Sequence, residues 1–139
     1  MYQFEKLYIN GEWVLPIEER RAQVINPATE IVAAEYAQGG VEDVERAAQA
    51  AHQAFPQWSK TSSLSRAGYI LKIAELMEER SEELALAIST ELGMPLHLCR
   101  EIQVAGPIEG LRSYAELAGK MDEVEKLGNA HIMKTPIGV

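Results

Sequence analysis

A pair of glycines, Gly39-Gly40, divides the chain into two parts with different hydrophobic patterns. Before this pair, short apolar runs alternate with turn residues, which is typical of β-strands. After it, apolar residues recur at three- and four-residue steps, which is typical of amphipathic helices. The sequence therefore predicts β-hairpins over residues 1–36, helices over residues 41–118 and a return to strand over residues 120–139.

Two turn signals define the predicted hairpins. Asn10-Gly11 fits a type I′ turn, which needs positive φ at both central residues. A second turn at Asn26–Glu30 contains Pro27, which presets its own φ, and Asn26 can bond its own backbone. The charged stretch Pro16–Gln23 is predicted to be a loop. The strands expected beside the turns are Leu7–Ile9, Trp13-Val14, Val24-Ile25 and Ile31–Tyr36.

About four helices are predicted after the glycine pair. The first should end before Pro56, Ser81 should cap the third, and Gly93 should follow the third helix at its C-terminus. Gly106-Pro107 lies inside the fourth, where proline removes a backbone hydrogen bond, so we expect a kink or two shorter helices. The predicted ranges are 41–55, 64–80, 82–92 and 96–118, with a short strand at 130–134.

Composition narrows the class of protein. The chain has 139 residues, 47% of them hydrophobic, which is enough for a core. A net charge of −8 argues against nucleic acid and against anionic membrane surfaces as partners, because both need clustered basic residues. No apolar run is long enough for a membrane span, and no signal peptide is visible at the start. A single cysteine excludes an internal disulfide, so we expect a reducing cytoplasm.

Cys99 is the first candidate for chemistry. A reactive thiol needs a helix N-terminus or a cationic neighbour to lower its pKa. Cys99 lies among Leu96, Leu98 and Ile102 in a predicted helix, with only Arg100 beside it. We therefore interpret Cys99 as a small core residue.

The other polar candidates also favour structural roles. The histidines are far apart, so a zinc site is not expected. The hydroxyls between Ser59 and Ser65 fit helix capping by Ser63 or Ser65 better than a catalytic serine. The glycines form no phosphate-binding loop. Carboxylates adjacent in sequence do not face each other on a helix. The residues concerned are His52, His97, His131, Glu78-Glu79 and Glu82-Glu83.

Short motifs occur along nearly the whole chain. They are Tyr8–Trp13, Asn26–Thr29, Val41–Val44, Ala54-Phe55 with Trp58, Ser65–Ala67, Glu91–Pro95 and Arg112–Ala115. Taken in this order, they resemble the NAD(P)-dependent aldehyde dehydrogenase family. Thr135–Val139 contains Pro-x-Gly-Val, which resembles the start of the family's first nucleotide-binding strand. The segments Glu91–Pro95 and Gln103–Gly110 are similar to bacterial members acting on varied aldehydes.

The resemblance implies an α/β fold, this chain being the N-terminal part of the Rossmann-like cofactor domain. In the family a cysteine attacks the aldehyde, hydride passes to nicotinamide, and a glutamate-activated water releases the acid. All of these residues, and those that bind NAD or NADP, lie beyond Val139. Glu91-Leu92-Gly93 is similar to the family's general-base segment, but Met94-Pro95 follows it, which fits a glycine-capped helix end instead. The resemblance therefore assigns no catalytic, cofactor-binding or metal-binding residue to this chain.

Several functions remain open at this point. The leading expectation is an N-terminal fragment of an aldehyde dehydrogenase that is inactive alone. The alternative is a truncated paralogue that acts as a binding module, and a small enzyme of unrelated chemistry is a third possibility. We also expect self-association or binding to the remainder of the parent enzyme. The helices that would cover a parallel sheet carry wide apolar stripes, and the tail strand near Ile132 has an open edge.

Overall fold

The computed structural model describes residues 2–139. It forms two compact units. The first contains the residues up to Trp58, together with Thr90–Gly93 and Gly138–Val139. The second contains Ser59–Ser89 and Met94–Ile137.

The first unit combines two small sheets with one helix. In the three-stranded sheet, β5 is central, with β1 parallel on one side and β4 antiparallel on the other. β2 and β3 form a separate antiparallel hairpin. The elements are β1 (Tyr2–Phe4), β2 (Leu7–Ile9), β3 (Glu12–Val14), β4 (Arg21–Ile25), β5 (Val32–Ala37) and α1 (Val41–Trp58).

Both predicted turns are confirmed. Asn10 has φ 54° and Gly11 has φ 82°, the positive values that a type I′ turn requires. In the second turn, the side-chain oxygen of Asn26 accepts hydrogen bonds from the backbone nitrogens of Ala28 at 2.9 Å and Thr29 at 3.3 Å. The local sequence was sufficient here because a turn's backbone conformation depends mainly on its own residues.

Three expectations for this unit were wrong in detail. The predicted loop Pro16–Gln23 ends early, because β4 begins at Arg21 and pairs along β5. The first strand, β1, pairs in parallel with β5 and belongs to no hairpin. Helix α1 continues past Pro56 to Trp58, since proline's fixed φ suits a helix and one lost hydrogen bond is tolerable in the last turn.

The second unit is a helical cluster followed by a hairpin. Helices α2 and α5 pack against each other, and β6 pairs with β7 in antiparallel fashion. The elements are α2 (Ser63–Glu79), α3 (Ser81–Leu92, whose last turn belongs to the first unit), α4 (Leu96–Leu98), a π-helical segment (Cys99–Val104), α5 (Ala105–Ala118), β6 (Glu125–Leu127) and β7 (Ala130–Ile132).

The core of the second unit is built from small and medium side chains. Its buried members are Ala74, Ala85, Cys99, Val104 and Ile108. Larger side chains pack around these at partial burial: Met77, Leu84, Ile88, Met94, Leu96 and Leu111. Helices that meet at alanine and cysteine approach each other closely, which maximises dispersion contacts without large side chains.

The helix boundaries required smaller corrections. Ser62, rather than Ser63 or Ser65, caps α2, and its hydroxyl accepts a hydrogen bond from the Ser65 nitrogen at 3.1 Å. Ser81 is the first residue of α3 and not its cap, because Arg80 is the single residue between the two helices. The fourth predicted helix is divided as expected, but by a π-helical segment before Pro107. The predicted terminal strand is one half of a hairpin that turns at Gly128.

We expect Gly93→Ala to destabilise the protein by about 1–3 kcal/mol. Gly93 has φ 75°, and a Cβ there would lie 2.7 Å from Cγ of Pro27. The substitution therefore adds both backbone strain and a steric clash with a rigid ring. Urea denaturation followed by circular dichroism measures the free energy of unfolding.

Gly68→Ala is the matched control. Gly68 lies within α2, and a Cβ there would meet no atom within 4 Å. Because alanine favours a helix interior over glycine, this variant should be unchanged or up to about 1 kcal/mol more stable. Equal stability of the Gly93→Ala variant and the parent would contradict the assignment of strain to this position.

Candidate functional site

Cys99 lies in the core of the second unit. Its side chain is fully buried, and Sγ lies 3.5 Å from the backbone oxygen of Met94. The same oxygen accepts a 2.8 Å hydrogen bond from the hydroxyl of Ser89. The prediction of a core residue is confirmed. A thiol held in this way has no access to a substrate carbonyl.

The structure does not bring the other candidate residues of the sequence analysis close together. Glu91 is exposed near the end of α3, ahead of the positive-φ Gly93 that confirms the glycine cap. His52, His97 and His131 are exposed on α1, α4 and β7. Among the described residues, no group of three or more histidine, cysteine or acidic side chains is placed to hold a metal ion. These residues therefore form no common site in the described part of the chain.

Asp43 is a buried polar centre in the first unit. It is 3% exposed and is the third residue of α1. Its carboxylate accepts hydrogen bonds from the backbone nitrogens of Gly40 at 3.1 Å and Ile17 at 3.3 Å, and it pairs with Arg46 at 3.3 Å. The sequence predicted an acidic residue in the first turn of the helix, but it did not indicate that this residue bonds to Ile17. Asp43 thus both caps α1 and anchors the loop before β4.

A second carboxylate, Asp122, lies at the N-terminus of α2. It accepts a 2.7 Å hydrogen bond from the backbone nitrogen of Ser63, and Arg66 lies 3.4 Å away. The side-chain hydroxyl of Ser63 donates to the backbone oxygen of Gly119 at 3.4 Å. Bonding to Ser63, with a smaller contribution from Arg66, lowers the pKa of Asp122 below its ordinary value. The contact joins residues far apart in sequence, so no local pattern predicts it.

A groove of about 250 Å³ crosses the second unit between α3 and the start of α5. Val104 and Ile108 contribute apolar surface, and charged residues line its sides. Arg100 forms two hydrogen bonds to Glu82, each 2.8 Å, which lower the pKa of that carboxyl group. The other charged residues are Glu78, Glu109 and Arg112, and Arg112 forms an ion pair with each of the two glutamates. Both arginines of the groove are therefore paired with carboxylates.

A family model of the aldehyde dehydrogenase family matches residues 13–139. The chain belongs to the aldehyde dehydrogenase family. It is similar to 3-succinoylsemialdehyde-pyridine dehydrogenase of Pseudomonas sp, with 34% identity over 140 residues, covering 100% of this chain and 29% of that protein. The chain thus spans less than a third of the length of the curated relatives it matches.

Solved aldehyde dehydrogenases share the fold. The enzyme of Bartonella henselae superposes with a TM-score of 0.87 and 33% identity, covering 93% of this chain and 27% of that one. A variant of aldehyde dehydrogenase C of Pseudomonas syringae, determined with NAD+ and octanal, gives 0.84 and 42%, covering 89% and 26%. The family assignment and the α/β fold class are therefore confirmed. The described helices include none that is long and apolar enough to cross a membrane.

We expect the stabilising effect of Asp122 to depend on pH. Because its pKa is lowered in the folded state, its contribution is complete above the ordinary aspartate pKa and disappears as pH falls through the lowered value. Asp122→Asn should therefore be less stable than the parent at neutral pH. The difference should shrink toward zero in acid, as measured by thermal unfolding across a pH series.

Glu123→Gln is the control for that experiment. It removes the same charge from the next residue, which is exposed. A stability difference between Asp122→Asn and the parent that stays constant from neutral to acidic pH would show that the carboxylate does not act through its charge.

Proposed function

We propose that this chain supplies the N-terminal part of the cofactor-binding domain of an NAD(P)-dependent aldehyde dehydrogenase. The enzyme would oxidise an aldehyde to a carboxylic acid. The observation that carries the proposal is the family match over residues 13–139, together with coverage of 29% of the first relative. The proposed parent enzyme is bacterial, cytoplasmic and oligomeric.

The domain assignment is part of the same proposal. Residues 1–36 would form the strands at the edge of the domain, 41–118 its covering helices, and 120–139 the return to the sheet. Near the end of this segment, Gly138 has φ 97°, and a Cβ there would lie 3.3 Å from the ring of Phe55 in α1. The positive φ favours glycine at this position, which is the glycine of the motif Pro-x-Gly-Val.

We further propose that residues 1–139 alone neither oxidise aldehydes nor hold NAD(P) tightly. The burial of Cys99 supports this, because the family's reaction needs an accessible thiolate and this chain has a single cysteine. The helical groove adds support, since its cations are paired with carboxylates. Catalysis and cofactor binding would then depend on the remainder of the parent enzyme.

The purified chain should give no NADH above a blank with NAD+ or NADP+ and octanal or other aldehydes. Calorimetry should detect no cofactor binding at or below the micromolar range. A full-length aldehyde dehydrogenase serves as the positive control. Steady turnover that disappears in the Cys99→Ala variant would contradict the proposal directly.

A second candidate function is that of a binding module, and exposed apolar residues favour it. Val41 and Val44 on α1 are 88% and 66% exposed, and Leu64 on α2 is 75% exposed. Among the apolar residues of the second unit's helices, Ala74 is buried, whereas Leu71 and Ile102 remain exposed. Exposed apolar residues that form a contiguous patch mark an interface, which the remainder of the parent enzyme or a second copy could cover.

If the exposed valines of α1, Val41 and Val44, drive self-association, the isolated chain should form dimers or larger species at high micromolar concentration. Val44→Glu should shift the population toward monomer by placing a charge in the contact. Gln53→Glu introduces the same charge at another exposed position of α1 and should not. Light scattering after gel filtration measures the species. A monomeric parent with a sharp thermal transition and no binding of an apolar-surface dye would rule the idea out.

A further inference from the structure

The tip of the hairpin β2–β3 exposes the dipeptide Asn10-Gly11. Asn10 and Gly11 are both exposed, and they form the two central residues of the turn. A Cβ placed on Gly11 would have no heavy atom within 4 Å beyond its chain neighbours. Gly11 therefore has open space on the side where other residues carry a side chain.

We propose that Asn10 is a site of spontaneous modification by its own backbone. The nitrogen of Gly11 attacks Cγ of Asn10, an N–Cγ bond forms, and the bond from Cγ to Nδ2 breaks. Ammonia leaves with the proton of the attacking amide, and a five-membered succinimide remains. Water then opens the ring at either carbonyl to give aspartate or isoaspartate at position 10. No oxidant or reductant takes part, and water is the only co-reactant.

The two other asparagines of the chain lack this combination. Asn26 precedes Pro27, whose nitrogen carries no hydrogen, and its side-chain oxygen already accepts two backbone hydrogen bonds. Asn129 precedes Ala130, the first residue of β7, whose methyl group crowds the attacking nitrogen and which pairs with Leu127. Asn10 is therefore the favoured site, and Asn26 and Asn129 serve as internal controls in the same chain.

The folded turn controls access to the reaction. Asn10 has φ 54°, in the left-handed region where ψ is about +47°. At that ψ the next nitrogen points away from the side chain, so ring closure requires Asn10 to leave the left-handed region. Leaving it breaks the pairing of Ile9 with Glu12. The rate of modification is then set by how often the hairpin opens.

The cross-strand aromatic pair opposes this opening. Tyr8 and Trp13 are directly paired, with ring centroids 5.2 Å apart. Both side chains are exposed, so either can be truncated without creating a cavity in a core. Strands of three residues form a marginal hairpin on their own, so loss of this contact should raise the open population.

The test follows deamidation of the intact chain over weeks at mildly alkaline pH. Trypsin places the three asparagines in separate peptides, Leu7–Arg20, Ala22–Arg46 and Leu127–Lys134. Digestion in water labelled with oxygen-18 marks any modification that occurs during sample handling. Mass spectrometry with fragment ions then locates each product and distinguishes isoaspartate from aspartate.

We expect modification of the peptide containing Asn10 to be fastest, with isoaspartate among its products. Tyr8→Ala should accelerate it about two- to five-fold, while Tyr114→Ala, which removes an exposed tyrosine from α5, should not. Faster reaction at Asn129, or a product without isoaspartate, would overturn the proposed site and its chemistry. An unchanged rate in Tyr8→Ala would overturn control by hairpin opening.

Discussion

The packing of small residues between helices is the constraint on which the second unit depends. Its buried side chains include Ala74, Ala85 and Cys99 beside Val104 and Ile108, whereas its leucines are partly buried or exposed. Small side chains let helix backbones approach closely, and the dispersion energy of that approach adds to the burial of Val104 and Ile108. The same choice leaves large apolar residues such as Leu64 and Leu86 exposed.

Two buried or capping carboxylates fix the ends of the long helices. Asp43 satisfies backbone nitrogens at the start of α1 and in a preceding loop, and Asp122 does so at the start of α2. Each accepts hydrogen bonds that the helix itself cannot satisfy, and each carries a charge that the helix dipole favours. Two of the acidic residues of this negatively charged chain thus have structural roles, and no group of three or more is placed to hold a metal ion among the described residues.

The features that could be predicted from the sequence are those formed by residues close together along the chain. The turn at Asn10-Gly11 and the glycine cap at Gly93 were predicted because their conformations depend on adjacent residues. The strand β1 and the contact of Asp122 with Ser63 were not, because they join distant residues. For function, the motifs identified the family, and the burial of Cys99 followed from its apolar neighbours. The groove between Glu82 and Arg100 had no sequence signal, since ion pairs across helices have no fixed spacing.

The sequence correctly predicted that the fourth helix is interrupted, but it did not predict the π-helical segment that interrupts it. In an α-helix, positions five residues apart point about 140° from each other. Cys99 and Val104 are five apart, yet both are buried in the same core. The wider π turn, in which the nitrogen of Ala105 donates to the oxygen of Arg100, brings them onto one face. Ile108 lies four residues after Val104, one α-helical turn, and so continues that buried face past Pro107. The absence of a backbone N–H at Pro107 would not by itself have shown that the π-helical segment lies at Cys99–Val104.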